Sequence, residues 1–411
     1  MSAPASVAIV GGGIAGVTTA RELRGGGFDG SITVVEAGPA CYDRPPLSKA
    51  AFVDGASLDS LRFATAEEFA AQRIEVVTGN RAIGLAAPGE RDGRVTLDDG
   101  GTLEAAGIVL ATGARARRPA FPGADLPAIG VLRDYADASR LRAAAHPGST
   151  VLVVGAGFIG AELASGLLAL GAGVVLADRN AVPGARVLGA TLATQLHAMH
   201  AAHGVDVRIA SVIGAEAADD RVLVRLDDGS TVTADAVVVG VGIEIDTSLA
   251  EAAGAEVDGG IVVDEAGRTS VPGIWAVGDA TRRRLPGGDL AFGAGHWEAA
   301  VLDARGTASA ILGGEPAARG ASWFWSDRYG IHLEVVGRLV GDGEEVVRRA
   351  EPGRPAAVLR VADGRLVGAA SIDDPNTVRA ARRLIDQRVP VTTTALADPA
   401  VSLRDLLRAA R

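Results

Sequence analysis

Two glycine triads with matched surroundings are the first residues in this chain whose type and spacing suit chemistry. Gly11, Gly13 and Gly16 follow the strand-like SVAIV (6–10), and Gly155, Gly157 and Gly160 follow TVLVV (150–154). A helical stretch comes next in each case, then a second strand closing on an acid. Glu36 stands 20 residues past Gly16, and Asp178 stands 18 past Gly160. The chemistry such a pattern serves is dinucleotide binding. The first glycine permits a tight turn, the second lets the backbone approach a pyrophosphate, and the third lets helix and strand pack closely, so that free N–H groups at the helix start face the anion. The acid accepts hydrogen bonds from ribose hydroxyls.

Glycine alone is weak evidence here. With 55 glycines in 411 residues, a GxGxxG run arises about once by chance. Gly25, Gly27 and Gly30 form such a decoy, between the helix-like VTTARELR and the strand-like SITVVE, at a helix end and so in the wrong context for a phosphate. Strand, helix, second strand and acid together separate the two working copies from it.

A second candidate segment is ACYDRPPLSK (40–49), which holds the only cysteine, Cys41, two adjacent prolines and Lys49. A single cysteine excludes an intrachain disulfide, a CxxC pair and any multi-cysteine metal or iron–sulfur site, so no metal centre is expected. The prolines fix φ and restrict their predecessors, giving a rigid lead into a helix that carries Lys49. A solvated surface position is the usual fate of a lysine, and a buried, inert thiol that of a lone cysteine.

The elements that must position these residues repeat. VTLDDGGTLEAAGIVLATG (95–113) and VRLDDGSTVTADAVVVGVG (224–242) align without gaps, each a hairpin turning at Asp-Gly followed by a buried strand that ends in glycine. A third region starts near Ala321 with the aromatic-rich ASWFWSDRYGIHLEVVG, continues in the antiparallel strands of AVLRVADGRLVGAASI, and ends in NTVRAARRLIDQ as a terminal helix. Hydrophobic residues are 48% and charged residues 22%, as in soluble globular proteins. No apolar run reaches membrane-spanning length and no secretory signal pattern opens the chain, so a cytoplasmic location is expected. The net charge of −10 argues against nucleic acid or an anionic membrane as partner.

TSVPGIWAVGDA (269–280), with Gly278 and Asp279 after an apolar strand, resembles the second FAD-binding motif of two-dinucleotide-fold flavoproteins, and Ala111-Thr112-Gly113 resembles the short motif where the chain leaves their FAD domain. Together with YDRPPLSK (42–49), GAGFIGAELA (155–164), GHW (295–297) and FWSDRYG (324–330), these motifs resemble the NADH-dependent ferredoxin reductases that serve Rieske-type ring-hydroxylating oxygenases and some cytochrome P450 systems.

The resemblance implies an α/β fold: two Rossmann-like dinucleotide-binding domains plus a C-terminal α+β domain. The FAD domain comprises residues 1–113 and 243–320, split by an inserted NAD(H) domain at 114–242, and the C-terminal domain is 321–411. It implies FAD held by Gly11, Gly13, Ala15, Gly16, Glu36, Arg44, Lys49, Ala111, Thr112, Gly113, Gly278, Asp279, Trp297 and Trp325. NADH is implied at Gly155, Gly157, Phe158, Ile159, Gly160, Glu162, Asp178, Arg179, Arg186, Gly240, Val241 and Gly242. Lys49 and Glu162 are implied to pair, the lysine near flavin N5 and the glutamate where the nicotinamide carboxamide is recognised. Hydride then passes from nicotinamide to flavin, and single electrons pass on to a [2Fe–2S] ferredoxin. The family's Gly-x-Gly-x-x-Pro-Asn run reads here Gly240-Val241-Gly242-Ile243-Glu244-Ile245-Asp246, a departure beside the flavin. Arg179, directly after Asp178, is compatible with a 2′-phosphate, whereas the acid at the strand end favours NADH.

An acidic reductase meeting an acidic ferredoxin needs a local basic patch. Arg282, Arg283 and Arg284 are candidates, with Arg305 and Arg338 as others, in a monomer or homodimer. Two rivals share the fold: a flavin-dependent NADH oxidase, peroxidase or disulfide reductase acting through Cys41, and a non-enzymatic FAD- and NADH-binding scaffold of the apoptosis-inducing-factor type.

Overall fold

The structure, a computed structural model, describes residues 3–89, 91–292, 295–316, 319–351 and 354–409. The chain divides into two units. Met1–Pro45, Ser57–Arg115 and Ile243–Arg319 make the first; Pro46–Ala56, Ala116–Gly242 and Gly320–Arg411 make the second. The division falls between the two prolines of YDRPPLSK, so Lys49 belongs to the second unit.

In the first unit, strand β1 (Ser6–Val10), helix α1 (Ile14–Gly25) and strand β2 (Ser31–Glu36) form a βαβ element. β1 is central in a five-stranded parallel sheet ordered 274–276, 107–110, β1, β2, 74–78. Parallel strands covered on both faces read as unbroken apolar runs, as SVAIV does. Val7 and Ile9 face a core shared with α1 and the helix Trp297–Ile311, while Ala8 and Val10 face an opposite core with Leu85, Val95 and Leu97. α1 buries Val17, Ala20 and Leu23 at helical spacing, and burial of Leu23 contributes about 2–3 kcal/mol. The decoy glycines end this helix. Gly27 takes φ +88° while Phe28 N–H donates to Leu23 O at 2.9 Å, a left-handed C-cap.

The second unit repeats the plan. Strand β3 (Thr150–Val154), helix α2 (Phe158–Ala169) and strand β4 (Gly173–Asp178) form its βαβ element. Its five-stranded parallel sheet is ordered 206–209, β4, β3, 236–239, 129–131. Each parallel sheet has a companion three-stranded antiparallel sheet, 82–105 in the first unit and 212–234 in the second, where the two aligned Asp-Gly hairpins lie.

The C-terminal part of the second unit is a five-stranded antiparallel sheet ordered β5 (Trp323–Arg328), 331–337, 365–372, 354–362, 344–351. Period-two alternation gives it two buried faces. Val335, Val358 and Ala370 pack with Leu188, Leu192 and Leu196 of helix α3 (Ala185–Ala202). Val336, Leu359 and Ala369 pack with Val378, Ala381 and Leu384 of helix α4 (Pro375–Asp386), which Asp374 caps by accepting from Thr377 N–H. α4 is not the last helix, as the sequence had suggested: Thr393–Ala397 and Leu403–Ala409 follow. Elements of one or two turns offer too few apolar positions for helical periodicity to register. Among the described residues no helix is long and apolar enough to cross a membrane, and no cluster of His, Cys, Asp or Glu could hold a metal ion.

Candidate functional site

The glycine loops of the two units have the same geometry for the same reasons. At Gly11 φ is +114°, and a Cβ would lie 2.2 Å from Ala111 O; at Gly155 φ is +97°, and a Cβ would lie 2.5 Å from Gly240 O. Only glycine lets the loop cross the end of the neighbouring strand this closely. A Cβ on Gly16 or Gly160 would come 1.9 Å from the carbonyl oxygen of Gly11 or Gly155, so the third glycine sets the packing of helix on loop. Gly13 and Gly157 differ: a Cβ at either meets nothing within 4 Å. Each is the N-cap of its helix, without a side-chain cap or an acidic residue in the first turn. Open space and uncapped N–H groups are what an incoming phosphate requires.

The strand-end acids brace these loops. Glu36 is buried; its Oε2 accepts from Gly12 N–H at 2.8 Å and its Oε1 from Gly38 N–H at 2.7 Å. Asp178 Oδ2 accepts from Ala156 N–H at 2.8 Å, and Oδ1 accepts from the backbone and side chain of Asn180. Both acids thus hold the middle residue of the glycine loop through charge-assisted bonds.

The first unit gathers further residues around its loop. Gly278, at φ +71°, brings the turn bearing Asp279 against α1, where a Cβ would stand 3.0 Å from Ala15 Cβ. Ala111 N–H donates to Val10 O, and the neighbouring Thr112 Oγ1 is buried without a hydrogen-bond partner, as is Arg44 Nε. Gly113 turns the chain away at φ +65°. Orphaned polar atoms and an open, uncapped helix start in one unit fit a dinucleotide. Trp297 Nε1 donates to Asp43 Oδ1 at 3.0 Å, and burial raises the Asp43 carboxyl while this bond pulls it back down. Burial alone pushes His296 down to about 4.

Cys41 lies behind the same loop, 3% exposed, with Sγ 2.4 Å from where a Gly12 Cβ would be. Burial, reinforced by Glu36, pushes its thiol up to about 12. It packs as a small apolar side chain and stays protonated. The Arg282–Arg284 run is less available to a partner than a solvated face would be: Arg283 pairs with buried Asp303 at 2.7 Å and Arg284 with Glu256 at 2.5 Å. Arg305 pairs with Glu22, and Arg338 is exposed.

The second unit contains a dense polar cluster. Pro45–Ser48 form a 3₁₀ turn, and Lys49 is the N-cap residue of the short helix Ala50–Asp54. Its ammonium pairs with Glu162, which lies on the buried face of α2 and is 4% exposed. Glu162 Oε2 accepts from Ser48 Oγ at 2.6 Å; Oε1 accepts from Lys49, from Ser326 Oγ at 2.7 Å and from Asp327 N–H at 3.3 Å. A carboxylate so buried persists only when paired and hydrogen-bonded, and this one is both. Asp327 Oδ2 stands 3.6 Å from Lys49 Nζ, and the Trp325 ring, stacked on Trp323, is 5.8 Å from it. Arg328, 7% exposed, donates to Ser326 Oγ at 3.0 Å.

The hairpin supplying Ser326 and Asp327 is pinned at its turn. Tyr329 (φ +49°) donates its N–H to Ser165 Oγ on α2, and its hydroxyl bonds His200 Nδ1 on α3 at 2.6 Å, while His203 stacks on its ring. Burial, then the Arg328 charge, push His200 down to about 3, and burial pushes Tyr329 up to about 12. Both therefore stay neutral at ordinary pH and act as a fixed peg.

Sequence reasoning named Lys49 and Glu162 but missed Ser48, Ser326, Asp327 and Arg328. A signal existed on β5, where Ser326 and Arg328 share the buried alternate positions with Phe324. Polar residues on a buried strand face need partners. At the loop itself Phe158 packs edge-on against Phe324, Ile159 and Val241 are exposed apolar side chains, Arg179 and Arg186 are exposed, and Gly242 takes φ +115°.

A sequence profile described as pyridine nucleotide-disulphide oxidoreductase matches residues 5–304, and one described as reductase C-terminal matches 323–407. The benzene 1,2-dioxygenase system ferredoxin–NAD(+) reductase subunit of Pseudomonas putida is 35% identical over 405 residues, spanning 98% of each chain. Putidaredoxin reductase of Pseudomonas putida is 33% identical across 100% of this chain and 99% of its own. The solved covalent complex of putidaredoxin reductase with putidaredoxin superposes with a TM-score of 0.92 at 32% identity, covering 100% of this chain and 99% of that one.

Proposed function

The chain belongs to the pyridine nucleotide-disulphide oxidoreductase family and, within it, to the NADH-dependent ferredoxin reductases, and on that premise we propose how its two units divide the work. It is an FAD-dependent oxidoreductase of the ferredoxin–NAD(+) reductase class, carrying electrons from NADH to a ferredoxin that feeds an oxygenase. FAD, when bound, supplies the step from a two-electron donor to one-electron acceptors.

The first unit holds FAD and the second NADH, so the FAD domain is discontinuous (1–113 with 243–320) around the inserted NAD(H) domain (114–242). The observation that carries this reading is the Gly278–Asp279 turn set against Ala15, present beside the first glycine loop. The first-turn N–H groups of α1, Glu36, Thr112 and Arg44 bind and orient the flavin dinucleotide. The first-turn N–H groups of α2 and Asp178 do the same for NADH. Among the described residues Glu162 Oε2 accepts only Ser48, and its second lone pair is available to the nicotinamide carboxamide N–H. Ser48, Ser326 and Lys49 orient that carboxylate, and Lys49 keeps a cation within the cluster.

The ferredoxin is of the [2Fe–2S] type, and its docking surface is proposed without Arg283 and Arg284, whose charges are met by Asp303 and Glu256. Cys41 speaks against the disulfide-reductase and peroxidase rivals, because a protonated thiol without a partner cysteine is a poor nucleophile. Flavin content is the direct test of the division. Purified protein should release one FAD per chain, Glu36→Ala should lower that occupancy, and Asp178→Ala should leave it intact while weakening NADH binding. Loss of FAD on Asp178→Ala would reverse the assignment.

A further inference from the structure

Asp303 makes more bonds than a helix residue in a packed core needs. It lies within the helix Trp297–Ile311, is 5% exposed, and divides its two oxygens between separate tasks. Oδ2 accepts Gly278 N–H at 3.3 Å, while Oδ1 takes the guanidiniums of Arg283, at 2.7 Å, and Arg319. Gly278 opens the three-residue 3₁₀ turn that carries Asp279, and its φ of +71° and the 3.0 Å approach to Ala15 would strain and crowd any side chain there.

An apolar residue of similar volume would fill the same space without the cost of burying a charge. What the carboxylate adds is an acceptor for the first N–H of the turn, which has no partner within the turn itself. The two arginines pair with that acceptor and hold it from opposite sequence directions, Arg283 from the strand directly after the turn and Arg319 from beyond the helix. Arg283 thereby acquires a task inside its own unit.

We propose that Asp303 is a positioning residue for the flavin: held by Arg283 and Arg319, it fixes the Gly278–Asp279 turn against Ala15 in the geometry the cofactor needs. This rests on the FAD reading of the first unit. Asp303→Asn keeps the size but removes the charge, and one amide oxygen cannot serve both the Gly278 N–H and two guanidiniums. In the holoenzyme, FAD release after dilution, followed by recovery of flavin fluorescence, should quicken by about tenfold, the size of one lost hydrogen bond to a charged group. The visible spectrum of the bound flavin should shift, and the variant's lowered Tm should recover as FAD is added, because ligand linkage restores what positioning lost. Arg283→Met, which leaves the Gly278 contact in place, should quicken release by a smaller factor. A wild-type release rate and spectrum in Asp303→Asn, with a Tm loss that added FAD does not reduce, would make Asp303 a packing residue and overturn the inference. A wild-type protein carrying no FAD would instead remove the reading on which it stands.

Discussion

Replacing Glu162 by Gln removes the charge that Lys49, Ser48, Ser326 and the Asp327 amide all address. Glutamine can still accept through one oxygen, but its amide group turns a donor toward neighbours that are themselves donors. Lys49, only 13% exposed, is left with Asp327 at 3.6 Å. Breaking a fully buried ion pair from one side costs about 3–5 kcal/mol; with a second carboxylate in reach the cost falls to the bottom of that range or just under it, about 2–3 kcal/mol. Lys49→Met leaves a buried carboxylate with three neutral donors, a loss of about 2 kcal/mol. The double variant Lys49→Met/Glu162→Gln leaves no full charge uncompensated in the pair and should lose less than the two single losses added, giving a coupling of about 2 kcal/mol. Urea unfolding of the four proteins in saturating FAD measures it through the midpoints at constant m. A coupling below about 0.5 kcal/mol, the level of an exposed pair, would refute the description of Lys49 and Glu162 as a buried, mutually dependent pair. The functional counterpart is a raised KM for NADH in Glu162→Gln and slower flavin reduction in Lys49→Met.

Other outcomes follow from the same geometry. Gly157→Ala meets no atom within 4 Å, so its Tm should match wild type while its KM for NADH rises by about tenfold or more; Gly160→Ala, 1.9 Å from Gly155 O, should instead lose stability by several kcal/mol. Cys41→Ser should keep NADH-driven ferredoxin reduction largely intact, and the native thiol should resist iodoacetamide at pH 9 but react once unfolded. With its thiol pKa raised to about 12, the folded protein holds a proton that the unfolded chain releases from about 9, so stability falls as pH rises through that window. His200 shows the opposite sign: its pKa is lowered to about 3, the unfolded chain binds the extra proton, and stability is lost as pH falls from about 6.5 toward 3, by up to a few kcal/mol. His200→Leu should flatten that acid slope in urea titrations while costing about 1 kcal/mol at neutral pH for the Tyr329 bond.

Much of the fold was legible in the sequence because its signals are local. Parallel strands buried on both faces give unbroken apolar runs, and the loops that follow admit only glycine at contacts under 3 Å, so SVAIV and TVLVV with their glycines stand out even in a glycine-rich chain. The decoy at Gly25–Gly30 was separable for the same reason, since a glycine that ends a helix follows one instead of opening one. Convergence was much less legible. Ser48, Glu162 and Ser326 are more than 100 residues apart in sequence and meet only through tertiary packing. The pairing of Lys49 with Glu162 was expected through family resemblance alone, and no periodicity points to it. Arg283 shows the converse: read as part of a basic run it suggests a docking face, and the sequence gives no sign of the carboxylate that pairs with it, 20 residues away on a helix.

Anaerobic mixing of the FAD-loaded protein with NADH and then with a [2Fe–2S] ferredoxin tests electron transfer from NADH through the flavin to the ferredoxin. NADH should bleach the flavin far faster than NADPH does, since in the proposed NADH site the Asp178 carboxylate would repel a 2′-phosphate, and the ferredoxin should be reduced at two equivalents per NADH consumed. Flavin that stays oxidised with NADH, or that bleaches and then passes no electrons to any ferredoxin of this type, would contradict it.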